Sequence, residues 1–388
     1  MERVRTGSLH SRPPTTIVPM PRFVSGAVLL AVALGVGACS AAGDEPVPST
    51  ETTTTTTVTP ERTAPPTTVV PVTIPAGDIA LEGDVYVPEG DGPHPGIVLI
   101  HGSGPQSRRE ALPGQLNLQF GFSIPVFTQL AEGLQAAGYA VLVYDKRTCG
   151  SFNSCADNGY PIPPDDLTIE TFVADAAAAL SYLAGWPGVD GDRIVAAGHS
   201  QGGQFVPQLL AEQEGAAAGV LLATPHDPPD VLVADQAAST RALLVGLGMS
   251  GDQVDRAAAP LIDAADALAR VRAGEAVAAP ILGAPATFWR SWLDYADGVP
   301  ITAAALDRPV LVLSGEMDWN VPPSQPAQWE ETLPEGVGHD IIVLPCVTHA
   351  LNCLEETNPA SITATDIGRT VDPAVVDAIA EFLATTLR

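Results

Sequence analysis

The chain has 388 residues, 46% hydrophobic and 16% charged, which is ample material for one large core or two modest ones. Its net charge is −27 and Lys146 is its sole lysine. Such an acidic surface repels phosphate backbones and anionic headgroups, so nucleic acid is excluded as a partner, and the charge reads as solubilising.

Arg3, Arg5, Arg12 and Arg22 precede an apolar run over residues 23–38 that ends in small residues and Cys39. A basic region, a short apolar region and a small-residue cleavage site predict an export signal over residues 1–39, too short for a stable membrane span. Val36-Gly37-Ala38-Cys39 also resembles a bacterial lipobox, with Cys39 as the lipidated residue and the only link to a membrane. Residues 40–75 are rich in threonine and proline and include the threonine run 52–57. With little apolar surface to offset ordering entropy, the segment is expected to be a disordered tether. At about 3.1 Å per residue it would reach on the order of 100 Å.

Globular sequence is expected over residues 76–388. Residues 79–87 alternate as a strand, and 96–100 form a short apolar run leading into His101-Gly102-Ser103-Gly104-Pro105. Phe127, Leu130, Ala131 and Leu134 fall at helical spacing, 139–144 is another apolar strand, and 171–183 reads as helix. Further strands are predicted at 219–224, 309–314 and 340–344, and a final helix at 373–387 with Asp372 as N-cap. Near-continuous apolar strands alternating with helices predict an α/β fold with a mainly parallel, doubly wound sheet. The interval from about 226 to 306 breaks that alternation. It is rich in alanine and leucine, carries Trp289, Trp292 and Tyr295, and is expected to form an inserted helical lid.

The chemistry centres on Gly198-His199-Ser200-Gln201-Gly202, which follows the apolar run 194–197 and precedes a helix expected over 204–211. Glycines beside a serine between strand and helix relieve the crowding of a sharp turn that exposes the hydroxyl above a sheet. This predicts a nucleophile elbow at Ser200. The amide of Gln201 would then sit at a helix N-terminus, facing developing negative charge.

Together with the His101-Gly102 turn, Asp318 after one strand and His349 after the last, these residues resemble the α/β-hydrolase superfamily. Finer features resemble its bacterial exported esterase and serine-peptidase-like branch: HGSGP, the Tyr144-Asp145-Lys146-Arg147 segment, GHSQGG followed by Pro207, FWRSWLDY at 288–295 and GEMDWNVP at 315–322. The resemblance covers about residues 78–388. The chain departs from it at Thr148-Cys149-Gly150, where members commonly continue with glycine and later serine.

A serine hydroxyl needs a base in reach and a third group to orient that base. In such folds the order along the chain is serine, acid, histidine. Of seven histidines, His10 lies in the signal, His94 and His226 lie in loops, and His101 and His199 sit in the two turns. His339 opens a strand and is expected to face solvent, which leaves His349 as the base. Asp318 is the expected acid, with Glu316 as its local rival. Backbone amides of Ser103 and Gln201 are the expected oxyanion donors. No metal-ligand clustering, phosphate-binding loop or dinucleotide fingerprint is present, and no cofactor is expected.

Setting Cys39 aside, four cysteines remain, an even number in a chain expected to leave the cytosol. The short-loop pairing joins Cys149 to Cys155 and Cys346 to Cys353. The reading is an exported serine hydrolase cleaving small-molecule carboxylic esters through a Ser200 acyl-enzyme. Thioesterase, peptidase and acyltransferase activities use the same triad, and a non-catalytic surface-binding protein of this fold is the alternative of another class.

Overall fold

The computed structural model describes residues 68–112, 123–149, 166–363 and 365–388. The export signal, Cys39, residues 40–67 of the expected tether and Cys155, and with it the Cys149–Cys155 pairing, lie outside the described residues.

Eight strands form one sheet: β1 Thr68–Ala76, β2 Ile79–Val87, β3 His94–Ile100, β4 Ala140–Tyr144, β5 Val189–His199, β6 Ala216–Leu222, β7 Val310–Gly315 and β8 Asp340–Leu344. Their spatial order is β1-β2-β4-β3-β5-β6-β7-β8. β2 pairs antiparallel with β1 and β4, and every pair from β4 to β8 is parallel. The expected mainly parallel α/β sheet is therefore present.

Alternation along the strands feeds two cores. Val98, Ile100, Leu142 and Ala196 point to one face, under α2 (Ile169–Ala184) and α3 (Val206–Glu212). Ile97, Leu99, Val141 and Val195 point to the other, under α1 (Val126–Ala136) and α8 (Pro373–Thr386). Apolar side chains on both faces explain why these strands read as unbroken hydrophobic runs. Asp372 caps α8 as expected, accepting the Ala374 amide at 2.9 Å, with Pro373 in the first turn.

The sheet begins earlier than the sequence suggested. Residues 68–75, expected to be tether, belong to β1, where Val72, Ile74 and Ala76 are buried while Pro71, Thr73 and Pro75 point outwards. An edge strand tolerates outward prolines because those positions need no donor on the open side. Composition thus hid a strand whose period of two was present in Val72, Ile74 and Ala76.

Between β6 and β7 lie α4 Pro229–Gly246, α5 Gly251–Arg272 and α6 Ala286–Ala303, in the interval expected to be helical. α7 Gln325–Thr332 links β7 to β8. Phe288, Trp289 and Trp292 of α6 are buried in the same core as α2, and the two tryptophans stack with ring centroids 5.3 Å apart. Among the described residues no helix is long and apolar enough to cross a membrane.

Candidate active site

Every residue singled out for chemistry lies just past the carboxyl end of a strand, where open α/β sheets bind ligands. β3 and β5 are neighbours, and Ile100 pairs with Gly198, so the turns after them meet. Ser200 follows β5 with φ 52°, a left-handed conformation that costs a non-glycine residue roughly 1 kcal/mol and turns its side chain out of the strand line. The flanking glycines are required by close approach. A Cβ on Gly198 would lie 2.3 Å from the Gly202 carbonyl oxygen, and one on Gly202 would lie 2.4 Å from the Ile100 carbonyl oxygen. Beyond Ser200 the chain forms a 3₁₀ turn, Ser200–Phe205, before α3, so the expected helix starts as the tighter form.

Asp318 and His349 meet across two loops. Gly315 ends β7, and the amides of Glu316 and Met317 donate to the carbonyls of Leu344 and Val347, both at 3.0 Å, lacing the loop after β7 to the loop after β8. Fully buried Asp318 Oδ2 then sits 2.8 Å from His349 Nδ1. Its other oxygen accepts the Asn320 and Val321 amides, each at 2.8 Å, so the carboxylate cannot turn away. Glu316, the rival acid, is exposed. No hydrogen bond joins Ser200 to His349 among the described residues, and such contacts often tighten only when substrate is bound.

His349 stands in a small loop closed at its base. Cys346 and Cys353 are joined by a disulfide, Leu354 N donates to Cys346 O at 2.6 Å, and Thr348 N donates to Asn352 O at 2.8 Å. A cross-link over so short a loop stabilises by about 2–3 kcal/mol. Replacing both cysteines, Cys346→Ser with Cys353→Ser, is expected to lower the unfolding free energy by that order and to lower kcat more than it raises KM. Urea unfolding and steady-state kinetics on one preparation check both effects.

The turn after β3 approaches Ser200 closely. A Cβ on Gly102 would be 3.2 Å from the Ser200 Cβ, so the turn that carries the Ser103 amide runs close to Ser200. Beneath this turn lies a buried polar cluster that sequence reasoning missed. Glu110 Oε1 accepts the Gly102 amide at 2.8 Å and faces His199 Nδ1 at 3.2 Å, while His199 Nε2 lies 2.9 Å from the His349 carbonyl oxygen. Burial pushes the Glu110 carboxyl up, but the His199 and His101 rings and the Gly102 amide outweigh it and hold the group below its usual range. His199 is pushed down by burial and raised further by Glu110 and the His349 carbonyl, ending above its ordinary value. The buried Glu110–His199 pair thus lies under the floor of the site and links the turn after β3 to the loop that carries His349.

Breaking a buried pair leaves an uncompensated charge and costs about 3–5 kcal/mol. Glu110→Ala is expected to lose stability of that order near neutral pH, measured by urea unfolding. The His199 contribution is complete below the ordinary histidine value and fades as pH rises through its raised value. That of Glu110 is complete above the ordinary carboxylate range and fades as pH falls through its lowered value. The gap between wild type and variant should thus narrow towards both ends.

The remaining expectations sort plainly. His101 is buried against Phe127 and Tyr144, with centroids 5.0 and 4.9 Å away, and burial brings its pKa down to about 4, so it is a neutral packing ring. His339, expected to face solvent, is half-buried and accepts the Val310 amide on Nδ1 at 3.1 Å, which fixes the start of β7. Trp292 donates to Gln204 Oε1 at 2.8 Å, tying α6 to the elbow. Among the described residues Cys346, Cys353 and Asp372 bring potential metal-ligand atoms within 4.8 Å of one another, but the two sulfurs are bonded to each other.

Residues 97–363 match the profile of the family described as the Alpha/beta hydrolase family. Esterase EstD of Thermotoga maritima is 28% identical over 307 residues, which span 78% of this chain and 65% of that protein, so the chain covers less than two thirds of it. Among solved structures, Est1E from Butyrivibrio proteoclasticus is similar at 17% identity and a TM-score of 0.47, covering 82% of this chain and 98% of that one. The acylaminoacyl peptidase of Pyrococcus horikoshii is similar at 16% identity and a TM-score of 0.49, covering 83% of this chain and 42% of that one.

Proposed function

The chain belongs to the alpha/beta hydrolase family, and from that premise we propose that it is a serine hydrolase that cleaves carboxylic esters through an acyl-enzyme on Ser200. One observation carries the reading: a strained serine ends β5, its neighbour His199 lies against His349 with ring centroids 4.8 Å apart, and His349 is held 2.8 Å from a pinned, buried carboxylate. Asp318 orients His349 so that Nδ1 carries the proton and Nε2 keeps its lone pair. Nε2 takes the Ser200 proton as Oγ bonds to the ester carbonyl carbon. The carbonyl oxygen gains the electron pair and is held by the Ser103 and Gln201 amides. When the tetrahedral species collapses, the carbon–oxygen bond to the alcohol breaks and His349 returns the proton to the leaving oxygen. Water, deprotonated by His349, then attacks the acyl-enzyme by the same route and frees the acid.

The esterase name of the Thermotoga maritima relative supports ester over thioester or amide as the bond cleaved. Export, and anchoring through Cys39, belong to the same proposal. The Cys346–Cys353 disulfide fits a chain working outside the reducing cytosol. Helices α4 to α6 would roof the site as its lid. A fluorophosphonate probe should label Ser200, and a panel of p-nitrophenyl esters of increasing chain length, acyl thioesters and aminoacyl anilides should show esters turned over fastest. Absence of labelling removes the serine hydrolase reading. Preferential turnover of thioesters or anilides removes the ester.

A further inference from the structure

The chain's one lysine is buried, and among the described residues its ammonium donates to two partners, both neutral. Lys146 Nζ donates to the Gly102 carbonyl oxygen at 2.7 Å and to Gln201 Oε1 at 3.2 Å, and lies 4.3 Å from the centre of the Phe172 ring. Burying an ammonium against neutral partners is costly, so a side chain kept there calls for an account. Burial brings its pKa down to about 7 against the opposing pull of Glu110 and Asp175.

The Gly102 carbonyl belongs to the same peptide group as the Ser103 N–H. In a planar trans peptide the two point in opposite directions, so fixing the oxygen from behind aims the N–H forwards, and a positive group on the oxygen polarises that N–H as a donor. The other side of Gly102 is held as well, its own amide donating to Glu110. The second contact of Lys146 reaches Gln201, whose amide is the other oxyanion donor. We propose that Lys146 is the positioning residue of the oxyanion hole, locking the Gly102–Ser103 peptide and the Gln201 turn in the orientation that receives the carbonyl oxygen.

Neighbours of Lys146 in its own segment hold the same turn. Tyr144 packs edge-on against His101, and Asp145 accepts the Arg108 amide at 2.7 Å and its guanidinium at 2.8 Å. Arg147 pairs with Asp175 of α2, anchoring the segment from the opposite side. Lys146 N donates to Gln106 O at 3.0 Å. The stretch from Tyr144 to Arg147 thus grips the oxyanion loop at several points, and Lys146 alone reaches its donor peptide.

The proposal rests on the serine hydrolase reading, and its test separates the two. In Lys146→Met, with active sites counted by fluorophosphonate titration, kcat is expected to fall about ten- to a hundredfold while KM for the same ester stays within about twofold, because the lost interaction serves only the transition state. Affinity for a trifluoromethyl ketone, whose adduct places an oxyanion in the hole, should fall by the same factor. A kcat and a ketone affinity close to wild type, or a loss confined to KM, overturns the proposal.

A second measurement needs no variant and covers the case in which Lys146→Met does not fold. Protein carrying 13C at lysine Cε gives one side-chain signal. That signal should move when the trifluoromethyl ketone adduct forms and stay in place when the product alcohol is added. A signal unmoved by the adduct, with normal ester turnover, overturns this proposal alone. A signal that moves in a protein without ester turnover removes the ester reading and leaves Lys146 in its role. Failure of the ketone to form an adduct removes both.

Discussion

Ser200→Ala should lower kcat for ester hydrolysis by about five to six orders of magnitude and leave KM and the fold nearly unchanged. The left-handed backbone at φ 52° belongs to the turn between β5 and the 3₁₀ segment, and alanine keeps its Cβ in place. Contacts with the Gly102 turn are therefore retained. What disappears is the hydroxyl at the elbow, and neither chain neighbour carries one: His199 is engaged with Glu110, and Gln201 with Lys146. The residual rate should still exceed that in water, because the oxyanion amides remain and act without a nucleophile. The variant should melt close to wild type while losing all fluorophosphonate labelling. Turnover within about tenfold of wild type would mean that the chemistry does not pass through this serine.

The elements nearest this residue were legible because each carried a local signal. β4 is an unbroken apolar run, residues 96–100 of β3, 194–197 of β5 and 310–313 of β7 are others, and Gly198 to Gly202 announces a tight turn. Asp318 and His349 were expected from strand order, since each lies within a few residues of a strand end, and the fold brings their side chains to 2.8 Å. The supporting cluster had no such signal. Glu110 and His199 are 89 residues apart, His199 and the His349 carbonyl 150, and Lys146 reaches partners 44 and 55 residues away. Only the folded sheet brings them together, and a lone glutamate in a loop looks like any solvated charge. The hints were indirect: a single lysine inside a strand-end motif, and a histidine beside the nucleophile that a tight elbow would force inwards. β1 was lost for the opposite reason, because threonine and proline composition outweighed the alternation of Val72, Ile74 and Ala76. Positions whose role depends on distant partners are those that composition and period misread.

Asp318→Asn is expected to lower kcat by about four orders of magnitude, and the geometry gives the reason. Asp318 Oδ1 is pinned by the Asn320 and Val321 amides, each 2.8 Å away, and only an oxygen can accept them. An asparagine must therefore place its oxygen there and turn its NH₂ towards His349 Nδ1, where Oδ2 now lies at 2.8 Å. The imidazole is then forced to accept at Nδ1 and carry its proton on Nε2, the nitrogen that should take the Ser200 proton. A buried amide with all its partners satisfied should cost little stability, about 1 kcal/mol or less. Loss of rate without loss of fold thus identifies the effect as one of tautomer. Glu316→Gln, at an exposed position on the same loop, serves as the control and should change kcat by less than about twofold. Side-by-side kinetics decide between the two carboxylates. If Glu316→Gln proves the more damaging, or if Asp318→Asn keeps more than about a tenth of wild-type kcat, the acid has been assigned to the wrong residue.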